Sequence, residues 1–202
     1  MTEMKVRIDH PPVVLHTRPA LQMDEDQFFE FCQLNGDWRI ERTAEGDLEI
    51  MPPTGGETSN RNAELTMQVG IWTRRDGTGV AFDSNGGFIL PNGAMRSPDT
   101  SWTSRERLTN LTTKRKFLPL CPDFVVELRS PSDPLRSLEA KMREYSENGA
   151  RLGWLIACGE KKVHVYQPEE DVLILENPQK ISGDPVLQSF VLDLKPIWEP
   201  GF

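Results

Sequence analysis

Apolar positions recur along the chain in short runs with two different spacings. Asp24 to Leu34 carries Phe28, Phe29, Phe31 and Cys32 on one side behind an aspartate able to cap, which predicts a helix. Trp38 to Arg42 and Leu48 to Met51 are short extended runs around Ala44-Glu45-Gly46-Asp47, the pattern of a hairpin. Thr58 to Arg75 has helical spacing on two sides. Leu65, Val69 and Trp72 share one side, and Met67, Gly70, Ile71 and Arg74 share the other. Such a helix is packed on both sides or lies at a subunit contact, with Thr58 or Ser59 as its cap.

Gly79 to Phe82 and Phe88 to Leu90 read as strands. Pro91-Asn92-Gly93 is a hairpin turn, with Met95 to Trp102 as one returning strand. Thr103 to Pro122 reads as a helical turn and a surface loop that contains the basic run Lys114-Arg115-Lys116. Asp123 to Leu128 is a β-branched strand. A second long helix follows, with Asp133 as cap, Pro134 at its first position, a stripe of Leu135, Leu138, Met142 and Tyr145, and Asn148-Gly149 as its end. Leu152 to Ala157, Val163 to Tyr166 and Val172 to Leu175 are strands, the first two joined by Gly159 to Lys162. Val186 to Leu194 ends in another strand. This order predicts an α/β or α+β domain over 23–202, with a loose arm at 1–22 and a central sheet flanked by the two long helices.

The 202 residues suffice for one sizeable core. A net charge of −8 and a pI near 5.0 exclude a broadly basic surface that coats nucleic acid. They leave room for a local site built around metal ions. Cys32, Cys121 and Cys158 form no zinc-ligand spacing with His10, His16 and His164. Sparse cysteines and the lack of a signal-like N-terminus suggest a cytoplasmic protein. The apolar run Leu152 to Cys158 is too short to cross a membrane.

Acidic residues on strands are the candidate chemistry. Glu127 lies in an apolar strand, where an uncompensated carboxylate is costly. Asp123 shares its face but lies about 13 Å away, too far to share an ion. Asp99, after Pro98, is the best-placed partner for a hard-oxygen Mg²⁺ or Mn²⁺ site. Arg129, on the same face about 7 Å from Glu127, could form a structural ion pair with it. Lys141 lies at the edge of the second helix's stripe and could reach toward the sheet. Glu64 lies beside Met67 and Ile71 on the first long helix.

Several ordered stretches resemble one family. They are Gly46-Asp47-Leu48-Glu49-Ile50-Met51-Pro52-Pro53-Thr54-Gly55, Ser97-Pro98-Asp99-Thr100-Ser101-Trp102, and Pro122-Asp123-Phe124-Val125-Val126-Glu127-Leu128-Arg129-Ser130-Pro131-Ser132-Asp133. Lys141 to Tyr145, Asn148 to Ile156 and Asp193-Leu194 continue the match. This pattern, from about Asp24 to Leu194, resembles the Uma-type restriction-endonuclease family of the PD-(D/E)XK nuclease superfamily. The resemblance implies a restriction-endonuclease-like fold, a mixed central sheet flanked by helices with extra hairpins. It further implies DNA cleavage with Mg²⁺, for which Mn²⁺ can substitute; two cuts on a duplex suit two-fold symmetry, so a homodimer is expected. By position Asp99 and Glu127 would hold the metal, and Glu64 would be the helix acid of the site. The superfamily lysine normally follows the second acid by two residues. Arg129 stands there and cannot act as a base near neutral pH, so the resemblance transfers the lysine's role to Lys141. A different class remains open: a non-catalytic binding or regulatory protein that retains the nuclease fold.

Overall fold

The computed structural model describes residues 12–109, 111 and 116–201. Its elements are β1 (Val13–Leu15), α1 (Glu25–Leu34), β2 (Arg39–Arg42), β3 (Leu48–Met51), α2 (Gly56–Asp76), β4 (Gly79–Asp83), β5 (Phe88–Ile89), β6 (Met95–Arg96) and β7 (Thr100–Ser104). They continue with α3 (Arg105–Thr109), β8 (Phe124–Leu128), α4 (Leu135–Glu147), β9 (Leu152–Ala157), β10 (Lys162–Tyr166), β11 (Leu173–Glu176), β12 (Lys180–Ser182), β13 (Val191–Asp193) and α5 (Lys195–Trp198).

Two larger sheets organise them. The six-stranded sheet has the order β11-β10-β9-β8-β7-β4 and the five-stranded sheet the order β1-β3-β2-β6-β5. Strands β8 and β9 pair in parallel, and every other pairing between these strands is antiparallel. The crossover between β8 and β9 is α4, the usual way to join parallel neighbours. All residues of β8 and β9 are buried, which explains their continuous apolar character.

Side-chain alternation assigns the two faces of the six-stranded sheet. Phe124, Val126, Trp154 and Ile156 point to one core with Leu65 and Val69 of α2. Val125 and Leu155 point to the other, with Met142 and Tyr145 of α4. The sheet is therefore sandwiched between the two long helices. A third cluster of Phe28, Ile40, Leu48, Ile89 and Met95 packs α1 against the five-stranded sheet.

The structure alters several sequence expectations. Met95 to Trp102 is not one strand: β6 ends at Arg96 and β7 begins at Thr100, in the other sheet. Pro98 lies in the break, where its missing N–H would cost a ladder bond. Leu118, Leu120 and Cys121 are buried rather than in a surface loop, and Ile89 N donates to Leu118 O at 2.8 Å. Of the basic run, Lys114 and Arg115 lie outside the described residues.

Part of the expected loose arm, Val13–Leu15, pairs with β3 as an edge strand. Helix α2 begins earlier than expected, and its cap, Gly55, gives no side-chain bond. Helix α4 is preceded by Pro134, and Asp133 accepts instead from Ser130 N at 3.0 Å. Asp24 does cap α1, reciprocally with Gln27.

Gly79 lies where β4 passes directly over Trp102, and a methyl group added there would land on the indole ring. Gly79→Ala is expected to destabilise the protein by about 1–3 kcal/mol through overpacking, read as a lower midpoint in urea. An unchanged midpoint would mean that Trp102 can move aside freely.

Candidate functional site

The site forms where the two larger sheets meet. Strand β2 contributes alternate residues: Ile40 turns into the third core, and Arg39 and Glu41 turn the other way. Glu41 pairs in register with Glu49 of β3, and the β2–β6 register sets Arg96 on Glu41's other side. Like charges directly across a strand pair repel. Arg96 relieves this by bonding both glutamates, with Nη1 at 3.4 Å from Glu41, and its Nε donates to Glu144 of α4 at 2.6 Å.

Glu127 comes from β8, on the face that carries Val125, and so points toward α4. The antiparallel register of β7 and β8 pairs Thr100 with Val126, and one step further it sets Asp99 opposite Glu127. Asp99 is fixed by two contacts. Its Oδ2 accepts from Leu128 N at 2.8 Å, and its Oδ1 accepts from Arg39 Nη1 at 3.3 Å. Arg39 also bonds the carbonyl of Ser97.

Lys141 reaches in from α4. Its Nζ lies 3.0 Å from Glu41 Oε1 and 3.0 Å from Glu127 Oε1. The Tyr145 hydroxyl, one helical turn on, donates to Glu127 Oε1 at 2.9 Å. Asp99, Glu127, Lys141, Arg39, Glu41 and Arg96 all line one cleft of about 1050 Å³, whose rim includes the Pro52–Gly56 segment.

In the ion-pair network of this cleft five carboxyl groups, Glu41, Glu49, Asp99, Glu127 and Glu144, face three cations, Arg39, Arg96 and Lys141. Glu127 carries the mismatch. Burial pushes its carboxyl up to about 7; Lys141 opposes that, and Asp99 and Glu41 add to it. Glu41 is held below the ordinary carboxylate range: burial works to raise it, and Lys141, Arg39 and Arg96 together outweigh burial. Lys141 is raised although burial pulls it down, because Glu127 and Glu41 flank it. It therefore remains an ammonium near neutral pH, a hydrogen-bond donor and a cation.

The structure thus brings Asp99, Glu127 and Lys141 together. It sets Glu64 apart: α2 packs on the opposite face of the six-stranded sheet, and Glu64 Oε1 accepts from Gln68 at 2.9 Å, outside the cleft lining. Arg129 also departs from expectation. Strand β8 stops at Leu128, so strand alternation no longer fixes where Arg129 points. Its guanidinium bonds Glu160 and the Asp133 carbonyl rather than Glu127. Sequence reasoning missed Arg39, Glu41, Glu49, Arg96 and Glu144. A signal existed in the hairpin, whose register opposes Glu41 to Glu49 and so demands a cation between them.

The model of the Uma2 family, described as "Putative restriction endonuclease", matches residues 25–195. The chain belongs to the Uma2 family. Among solved structures it is similar to a putative nuclease belonging to DUF820 from Anabaena variabilis. The TM-score is 0.73 at 17% identity, over 88% of this chain and 98% of that one, a likeness of fold. Among curated proteins none matches the chain.

A Uma2 nuclease would need a divalent cation, and the residues present fit one. Asp99 and Glu127 are hard-oxygen donors on one cleft, and their surroundings are short of positive charge. Among the described residues no three His, Cys, Asp or Glu side chains converge to cage an ion. Two carboxylates are within what Mg²⁺ takes from a protein, with water and substrate phosphate completing its shell.

The raised Glu127 pKa makes stability depend on pH. Folded Glu127 keeps a proton that the unfolded chain releases above its ordinary value of 4.5. That contribution is complete below about pH 4.5 and is lost as pH rises through about 7. In metal-free buffer the melting temperature of the wild type should therefore fall relative to that of Glu127→Gln between about pH 5 and about pH 8. A flat difference would show Glu127 ionised throughout.

Proposed function

We propose that this Uma2 protein is a Mg²⁺-dependent endonuclease that hydrolyses DNA phosphodiester bonds in the Asp99/Glu127/Lys141 cleft. The observation that carries this reading is the buried Glu127 carboxyl, opposite Asp99 and 3.0 Å from the Lys141 ammonium, in a cleft with more acids than cations. Asp99 and Glu127 would hold the metal, with Mn²⁺ able to substitute. When bound, such an ion polarises a phosphoryl oxygen and acidifies a coordinated water.

The chain's own groups do the rest. The backbone N–H of Leu128 and the Arg39 guanidinium orient the Asp99 carboxylate. The Tyr145 hydroxyl and Lys141 orient Glu127 through the same oxygen, Oε1, which leaves Oε2 as the donor toward the cleft. Lys141, held as an ammonium, stabilises negative charge that develops on the phosphate oxygens.

A second reading, a non-catalytic protein that keeps the fold, is favoured by one feature. Lys141 is already paired with two carboxylates, as in a purely structural ion network. Metal binding separates the two readings.

Wild-type protein is expected to cleave supercoiled, linear or single-stranded DNA with Mg²⁺ or Mn²⁺. Asp99→Ala and Glu127→Gln should abolish cleavage, and Lys141→Ala should lower its rate about 10²–10³-fold. Calorimetric Mn²⁺ binding should be lost in Asp99→Ala. A wild type that neither cleaves nor binds Mn²⁺ would overturn the nuclease reading and favour the second.

A further inference from the structure

The two apolar sides of α2 meet different fates. Leu65 and Val69 are fully buried against the six-stranded sheet, whereas Met67 and Ile71 on the other side are 50% and 43% exposed. The exposed side, with Gly70 and Arg74, forms one wall of a groove of about 540 Å³. Ala81, Phe82 and Asp83 of β4 form the other.

Three further observations bear on this groove. Gly70 lies mid-helix, where glycine costs about 1 kcal/mol against alanine. Among the described residues, nothing lies within 4 Å of the place its Cβ would occupy, so no internal contact requires a bare backbone there. Strand β4 is, among the described residues, an edge strand bonded only to β7, and its outer row of backbone groups is unpaired in the sheet. Finally, the groove's two charges are opposite and lie at opposite ends. Helix α2 ends at Asp76 and β4 starts at Gly79, so the two run antiparallel and Arg74 lies near the Gly79 end. Asp83 pairs with Thr100, which meets Thr66 of α2 at 2.6 Å, and so marks the far end.

We infer that this face is the seat of a second copy of the same chain, β4 against β4 across a two-fold axis, with the α2 helices in contact at Gly70. An antiparallel pairing centred on Ala81 sets Asp83 of the second copy beside Gly79, and therefore beside Arg74. The patch is thus charge-complementary to itself, as an isologous contact requires. Met67 and Ile71 become buried, the β4 edge is satisfied, and Gly70 allows the helices to approach closely. The six-stranded sheets join into one. Both clefts then open on the α4 face, with the β8 strands roughly 24 Å apart in the hydrogen-bonding direction. This inference does not rest on the cleft's chemistry, and its test reads mass rather than activity.

Sedimentation velocity of the wild type at about 50 μM in low salt should give a dimer. Gly70→Arg, at a half-buried position with open space beside it, and Ile71→Asp, at an exposed one, should raise the dissociation constant at least about tenfold while circular dichroism is unchanged. Arg74→Asp and Asp83→Arg should each weaken the dimer, and the double swap should restore it. A monomeric wild type would overturn the inference. So would a dimer that ignores these variants, including one broken instead by Ile174→Lys on the opposite edge strand β11.

Discussion

The structure depends on how one ammonium is placed. Lys141 joins Glu41 of the five-stranded sheet to Glu127 of the six-stranded sheet, and it belongs to a helix that packs on neither through that contact alone. Burying carboxylates is tolerable only where cations and hydrogen bonds answer them. Here the answer is incomplete by design of the local charges. Arg39, Arg96 and Lys141 hold Glu41 below the ordinary carboxylate range, and the remainder of the deficit falls on Glu127. The Lys141 bridge ties the two sheets together, and the imbalance leaves the cleft with an excess of negative charge.

Much of the fold was legible because its elements carry their own local signals. The stripe Leu138, Met142 and Tyr145 marked α4, the continuous apolar run marked β8, and Asp24 marked the start of α1. What was not legible depended on partners distant in sequence. The expected single strand from Met95 to Trp102 divides at Pro98 because the two sheets lie on either side of it, and periodicity carries no trace of a change of sheet. The expected caps of α2 and α4 failed for a similar reason: the chain's approach to each helix is set by the loops that rim the cleft.

The candidate site shows the same division. The family motifs located Asp99, Glu127 and Lys141, which the fold brings to one cleft. The motif view could not find Arg39 and Glu41, whose roles arise only when β2 lies beside β6 and under α4. It also misplaced Glu64: helical spacing showed two apolar sides of α2, but not that the Leu65 and Val69 side is the one packed on the sheet, nor which face of the sheet α2 covers. Arg129 is the instructive case. Two residues beyond Glu127 would be the same face of a strand, but the strand has ended and the side chain serves Glu160 instead.

Placing the cation that pairs with Glu127 on a helix rather than on the strand beside the acid changes what can disturb it. A strand residue is fixed by ladder hydrogen bonds. Lys141 is held at its tip by Glu41 and Glu127, but its position along and around the helix is set by how α4 seats, with Met142 and Tyr145 in the core beneath it. A helix turns about 100° per residue, so a few degrees of roll at the helix axis is magnified along the lysine stem into a displacement of its tip. The aliphatic and aromatic packing under α4 thus works as an alignment bearing for an electrostatic centre. Substitutions that merely loosen that bearing would defocus the cleft long before they unfolded the protein.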